Sequence, residues 1–343
     1  MNLLIIQTAF IGDVVLATPL LQAAREQLSA SYVAAVVRPD AAGLLAHHPA
    51  VDELIVFDKK GSARGLKGLL RMGSRLREQH FDAALIPHRS LRSAILARLA
   101  RIPMRVGFDT SAGRWLLTHR VLYQAIHEVE RNLRLLRPWV SDVERYEPSL
   151  YPDDRDFTAA DDLLERHGVR PDETLIGISP GSVWATKRWL PERFAETVKQ
   201  FTDEQIGRVI LFGGDDDEAL CQHIAAQSGV SPIVAAGQLS LLQSAALASR
   251  CTVMVSNDTG MAHIAAAMDT PVIALFGPTV SSFGFVPYGD HHQIIERSLS
   301  CRPCGPHGGH TCPIGTHACM QEITVDMVMQ QVSTMIQAQR SKP

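Results

Sequence analysis

The chain has 343 residues, 46% hydrophobic and 20% charged, with a net charge of −3; this composition excludes a disordered or collagen-like chain and accommodates about two ordinary domains. No uncharged apolar run reaches the ~18 residues of a membrane-spanning helix, so a cytosolic protein is expected. Residues 59–120 (from Lys59 and Lys60 to Arg120) hold fourteen Lys or Arg against three acids, a net +11, which points to an anionic partner: nucleic acid, acidic lipid or a phosphorylated sugar.

The opening Leu3-Leu4-Ile5-Ile6 lacks a basic leader and meets Asp13 early, so it reads as a strand and not a secretory signal. Strands are expected at Leu3–Gln7, Tyr32–Val37, Glu53–Phe57, Ala83–Ile86 and Arg105–Phe108. Apolar spacings of three and four predict helices at Asp13–Leu28, Leu66–Gln79, Leu91–Ala100 and Val129–Val143. The acidic, proline-bearing stretch 147–156 reads as a linker. The second half repeats the scheme, with strands at Leu175–Ser179, Val209–Phe212, Ile233–Ala235, Val253–Ser256 and Val272–Phe276. Its helices are expected at Glu192–Phe201, Asp217–Ala226, Leu241–Ala248 and Met261–Ala267, followed by a Met-rich amphipathic helix at Val325–Ile336. Such alternation predicts an α/β protein with two parallel sheets covered by helices. Neither half carries Gly-x-Gly-x-x-Gly after its first strand, which weakens a dehydrogenase reading.

Two glycine-containing turns stand out, Gly12-Asp13 and Asp258-Thr259-Gly260, each after a strand and before a helix. Ligands collect at such places in open α/β sheets, and free N–H groups at a helix start attract phosphate. Asp13 offers a carboxylate for base chemistry, or a helix cap, and capping argues against the base. Asp258-Thr259-Gly260 matches the aspartic-protease tripeptide, but it occurs once and in an α/β setting, so that reading fails. Ser179-Pro180-Gly181-Ser182 with Lys187, and Gly213-Gly214-Asp215, add a phosphate-neutralising cation and a carboxylate suited to ribose hydroxyls. Cys301, Cys304, Cys312 and Cys319 favour metal over disulfides in a cytosolic chain, but their later spacings miss the paired Cys-x-x-Cys pattern. A structural zinc and a set of reduced thiols both stay open, and no residue is assigned as a metal ligand.

Taken together, Gln7–Asp13, Ile178–Gly181, Thr186–Trp189, Leu211–Gly214, Ser256–Ala267 and Ala274–Pro278 resemble the lipopolysaccharide heptosyltransferases, glycosyltransferase family 9, most of all the type II enzymes. The resemblance runs in order along nearly the whole chain. It implies a GT-B fold, two Rossmann-like domains with parallel sheets facing a cleft, with divisions at 1–155 (acceptor), 156–322 (nucleotide sugar) and 323–343 (a helix packing back toward the first domain). It implies inverting transfer of heptose from ADP-heptose to the inner core of lipopolysaccharide, without a cofactor. The family's base falls on Asp13. Its donor contacts fall on Lys187, Asp258, Thr259, Gly260 and His263, with Asp215 and Leu239 on the adenosine side. Arg64, Lys67, Arg71 and Arg89 are then candidates for the acceptor, which is anchored in lipid at the inner membrane surface, and nucleic acid is not expected. The Ala9-Phe10 pair departs from a Ser-rich loop of some relatives, and the Cys-rich loop belongs to only part of the family. Two other readings compete: a nucleotide-sugar epimerase of the same architecture, and a non-catalytic module for anionic lipid or nucleic acid.

Overall fold

Apolar runs such as Leu3–Ile6 and Val33–Val37 are buried along their whole length, as strands covered by helices on both faces must be. The computed structural model describes residues 1–59, 61 and 64–340; Lys60 of the basic run lies outside the described residues. The chain divides into two compact units, Met1–Tyr151 and Pro152–Pro343.

In the first unit, β1 (Asn2–Ile6), β2 (Tyr32–Val37), β3 (Glu53–Val56), β4 (Ala83–Ile86), β5 (Met104–Phe108) and β6 (His119–Val121) form a sheet ordered β3-β2-β1-β4-β5-β6. Every pairing is parallel. In the second unit, β7 (Leu175–Ser179), β8 (Arg208–Leu211), β9 (Ile233–Val234), β10 (Val253–Asn257), β11 (Val272–Phe276) and β12 (Gln293–Glu296) are ordered β12-β11-β10-β7-β8-β9, again all parallel. Counted within each unit, both sheets run 3-2-1-4-5-6, the doubly wound order whose direction of progress reverses beside its first strand. The reversals fall between β1 and β4 and between β7 and β10. Each unit packs its own cores, around Leu4, Ile6, Val36 and Phe57 in the first and around Trp189, Phe194, Val255 and Met254 in the second.

Several elements differ from expectation. The helix expected at Asp13–Leu28 is two, Ile11–Val15 and Thr18–Gln27. Pro19 lacks an N–H and its ring crowds the carbonyl four residues earlier, that of Val15, where the first helix stops. The acids of the expected linker start a helix, Asp154–Arg166: Asp153 accepts the N–H groups of Arg155 and Asp156, and Asp156 reaches back to the Asp153 N–H. The predicted Val129–Val143 helix shortens to Glu128–Leu133, followed by a 3-10 turn at Arg134–Leu136. Edge strands β6 and β12 went unforeseen, because each buries a single residue fully and owes its form to the neighbour it pairs with. The last helix, Val325–Arg340, packs on the helix Pro191–Asp203 and on β10, β11 and β12. Met327, Met329 and Met335 join that packing. Among the described residues no helix is long and apolar enough to cross a membrane.

Candidate active site

Each unit presents a candidate site at the carboxyl edge of its sheet, beside the strand where the winding reverses. In the first unit the chain leaves β1 through Gln7 and Thr8, both buried. The Thr8 hydroxyl lies 3.1 Å from His88 Nδ1 and 3.3 Å from Ser93 Oγ, and the Thr8 carbonyl accepts Lys59 Nζ at 2.5 Å. These bonds join the ends of β1, β3 and β4. Asp13 then enters the helix Ile11–Val15, and its Oδ2 accepts the Phe10 N–H at 3.1 Å. The capping role weighed against catalysis is therefore present. It engages one lone pair of a carboxylate that has about four, so the two roles are less exclusive than expected.

Charge gathers around this loop. Arg38 lies over the Phe10 ring, 5.5 Å from its centroid. Burial, with the positive charges of Arg38 and Arg92, lowers the Lys59 pKa. Glu128 is buried against Arg131; burial, opposed by Arg131 and Arg89 and aided by the charge of Asp13, raises its pKa to about 7 in all. Arg89 and Arg131 flank the Tyr123 ring at 4.3 and 4.4 Å. Of the four expected acceptor residues, Arg89 thus falls within electrostatic reach of the group that also feels Asp13. Arg64, Lys67 and Arg71 lie elsewhere, exposed on or beside the helix Gly65–Glu78.

In the second unit Lys187, Asp258, Thr259 and Gly260 follow the ends of β7 and β10, while Asp215 and Leu239 follow β8 and β9. Lys187 Nζ is 2.5 Å from Asp258 Oδ2, with side chains only 13% and 8% exposed. Thr279 Oγ1 donates to the same oxygen at 2.7 Å. Asp258 does not cap the following helix, Gly260–Ala267; Thr259 stands at the N-cap without a side-chain bond to it, its hydroxyl 3.3 Å from Ser256 Oγ. The helix thus begins without a side-chain cap, next to a lysine. His263 is buried on its first turn. Asp215 is exposed in a 3-10 turn (Asp215–Asp217) after β8, and Leu239 is half-buried just before the helix Leu241–Ala248. Gly181 is required by close approach, since a Cβ there would collide with the Asp217 carboxyl group. The Ser179–Gly181 turn and the Asp215–Asp217 turn are therefore in contact.

Three residues escaped the sequence reading. Asn257 is fully buried; its Nδ2 donates to Pro180 O at 2.8 Å and its Oδ1 accepts the Trp189 N–H at 3.0 Å. It thereby ties the β7 turn to the segment bearing Lys187. Thr279 orients Asp258, and Arg302 donates to the Thr279 carbonyl at 2.5 Å. A buried Asn at the end of a strand was the one available signal, because a buried amide needs partners.

The family model described as glycosyltransferase family 9 (heptosyltransferase) matches residues 69–311. The chain belongs to glycosyltransferase family 9. It is 27% identical to lipopolysaccharide heptosyltransferase 2 of Salmonella typhimurium and to that of Escherichia coli K12, each alignment covering 98% of this chain and 99% of the relative. Among solved structures, a family 9 glycosyltransferase from Veillonella parvula superposes with a TM-score of 0.87 at 24% identity, covering 98% of this chain and 97% of that one. ADP-heptose lps heptosyltransferase II of E. coli gives 0.79 at 24% identity, covering 99% and 100%. The expected GT-B class of fold, with two parallel α/β sheets, is what the family 9 chain has. Its two switch-point loops place a carboxylate, Asp13, in one unit and a cation beside a helix start, Lys187 and Gly260–Ala267, in the other.

Proposed function

We propose that this glycosyltransferase moves heptose from ADP-heptose to the inner core of lipopolysaccharide as a type II enzyme, inverting the anomeric carbon. The observation that carries the reading is the Lys187–Asp258–Thr279 cluster at the head of the helix Gly260–Ala267. A lysine held by one carboxylate oxygen keeps further N–H donors for a second anion, and a helix start favours a diphosphate. Asp258 and Thr259 fix the lysine and the turn, Gly260 opens the backbone to the phosphates, and His263 packs behind them. Asp215 takes the ribose hydroxyls and Leu239 lines the adenine side.

In the reaction, Asp13 accepts the proton of the acceptor hydroxyl as that oxygen attacks the anomeric carbon. The bond to the ADP oxygen breaks with its electron pair, and Lys187 and the helix N–H groups stabilise the departing diphosphate. Arg64, Lys67, Arg71 and Arg89 receive the anionic acceptor, whose lipid anchor brings the protein to the cytoplasmic face of the inner membrane. The relatives from Salmonella typhimurium and Escherichia coli that carry the name heptosyltransferase 2, matched over 98% of this chain, support the type. The test is incubation with ADP-heptose and a panel of truncated cores, followed by mass spectrometry. One added heptose on a core that already bears one heptose is expected. Extension of the heptose-free core alone would reassign the type, and ADP release without any acceptor would remove the transferase reading.

A further inference from the structure

A lysine carries its charge on a flexible four-carbon stem, and aiming it at a ligand costs rotamer freedom unless neighbours have already fixed it. Lys187, on the 3-10 turn Ala185–Lys187, is held at both ends, and both grips reach it from one stretch of chain. That stretch, Arg297 to His317, forms neither helix nor strand. An irregular loop longer than ~12–15 residues is uncommon in a compact domain and asks for a function.

The backbone end is held through Thr186. Gly309 O accepts the Thr186 N–H at 3.0 Å and its hydroxyl at 2.9 Å, and the Gly309 N–H donates back to that hydroxyl at 2.8 Å. The Thr186 carbonyl lies 2.9 Å from Nε2 of His317, which carries the proton there because a carbonyl only accepts. Gly308 passes so close that a Cβ would sit 3.3 Å from Lys187 Cγ. The ammonium end is held through Asp258, whose Oδ2 accepts both Lys187 Nζ and Thr279 Oγ1. Thr279 sits on the loop after β11, and that loop is pinned at three points by β12 and the irregular stretch. Cys304 N–H donates to Pro278 O at 2.9 Å, Arg302 Nη2 to Thr279 O at 2.5 Å, and Ser281 Oγ to Glu296 Oε1 at 2.7 Å. Arg302 is the hub of these bonds. Its side chain is only 4% exposed; Nη2 also pairs with Glu296 Oε2 at 2.9 Å, and Nη1 donates to Arg297 O.

We propose that Arg302 and His317 are positioning residues for the donor: from the irregular loop they hold Lys187 in place for the diphosphate before ADP-heptose arrives. This role rests on Lys187 binding the donor's phosphates and adds what keeps it there. Arg302 fixes the carbonyl of Thr279 so that the Thr279 hydroxyl stops the Asp258 carboxylate from rotating, and Asp258 then fixes the ammonium. His317 fixes the peptide from which the lysine stem springs. A cation placed in advance gives up less freedom when the ligand binds, which raises affinity without any new contact.

The test is ADP binding to the full chain, measured by calorimetry in two backgrounds, wild type and Lys187→Ala. A residue that acts through the lysine loses its effect once the lysine is gone, whereas one that only supports the fold does not. In the wild-type background Arg302→Met and His317→Leu should each weaken ADP binding about 10-fold, and in the Lys187→Ala background less than ~2-fold. Arg302→Met also strips Glu296 of its cation and lowers stability. Thr279→Val therefore repeats the test at nearly constant volume, removing only the hydroxyl bond to Asp258, and the same pair of results is expected. Arg297→Gln, on the same stretch but with its side chain turned to Glu322, should bind ADP as the wild type does. Equal losses in both backgrounds, or unchanged ADP affinity for Thr279→Val and His317→Leu, overturn the positioning role. If Lys187→Ala itself binds ADP like the wild type, the donor site falls first and the positioning role with it.

Discussion

At Asp13 one carboxylate oxygen already serves its own helix, so the conservative variant separates structure from chemistry. The amide oxygen of Asp13→Asn still accepts the Phe10 N–H, but the side chain no longer takes a proton. Turnover should fall at least ~100-fold with ADP affinity and melting temperature unchanged; retention of most of the activity would remove the base assignment. Lys187→Ala should act differently. It weakens ADP binding in calorimetry and leaves Asp258 buried without its cation, at a cost on the order of 3 kcal/mol in stability. A variant that keeps ADP affinity while losing stability would make Lys187 structural only. A third residue governs the response to acid. His48 is 3% exposed, its Nδ1 accepts the Ala50 N–H at 3.2 Å, and burial lowers its pKa to about 4. In the unfolded chain the same ring takes a proton near 6.5. The contribution of neutral His48 is therefore complete above about pH 6.5 and declines as pH falls toward 4, by about 3 kcal/mol across that window. His292, lowered to about 4 mainly by burial, acts in the same direction. Urea midpoints measured from pH 7 down to 4.5 should decline less steeply for His48→Asn, whose amide oxygen replaces Nδ1; an unchanged slope would refute the assignment.

At the scale of elements, the helix Gly65–Glu78 has two unlike faces. Leu69 and Leu76 are buried, and Gly73 lets the helix approach Leu99 closely. Leu66 and Leu70, 70% and 47% exposed, stand outward beside Lys67 and Arg71. Exposed leucines flanked by cations suit an anionic bilayer surface. Leu66→Asp with Leu70→Asp should reduce co-sedimentation with anionic vesicles at least ~10-fold, while neutral vesicles bind neither protein. Equal binding of the double variant would show that this helix does not touch lipid. The elements also show what a sequence discloses. β2, β4, β7 and β11 were legible to the residue, because parallel strands buried along nearly their whole length write themselves as largely apolar runs. The helix at Asp154 was not, because its capping acids look like those of a linker. Asn257 was equally opaque, since its partners Pro180 and Trp189 lie 77 and 68 residues away.

For the whole molecule, alternation of strands and helices was readable, but the strand order was not, since spacing carries no record of which strands are neighbours. Only that order explains why residues as distant as Lys187 and Asp258 meet at one edge of a sheet. Each half is wound to the same plan from its own uninterrupted stretch of chain, around cores of its own. Such a build makes the boundary near residue 151 a natural place for exchange. On the proposed division of substrates, a chimaera joined there should take its taste in sugar acceptors from one parent and in nucleotides from the other, each half keeping a core of its own.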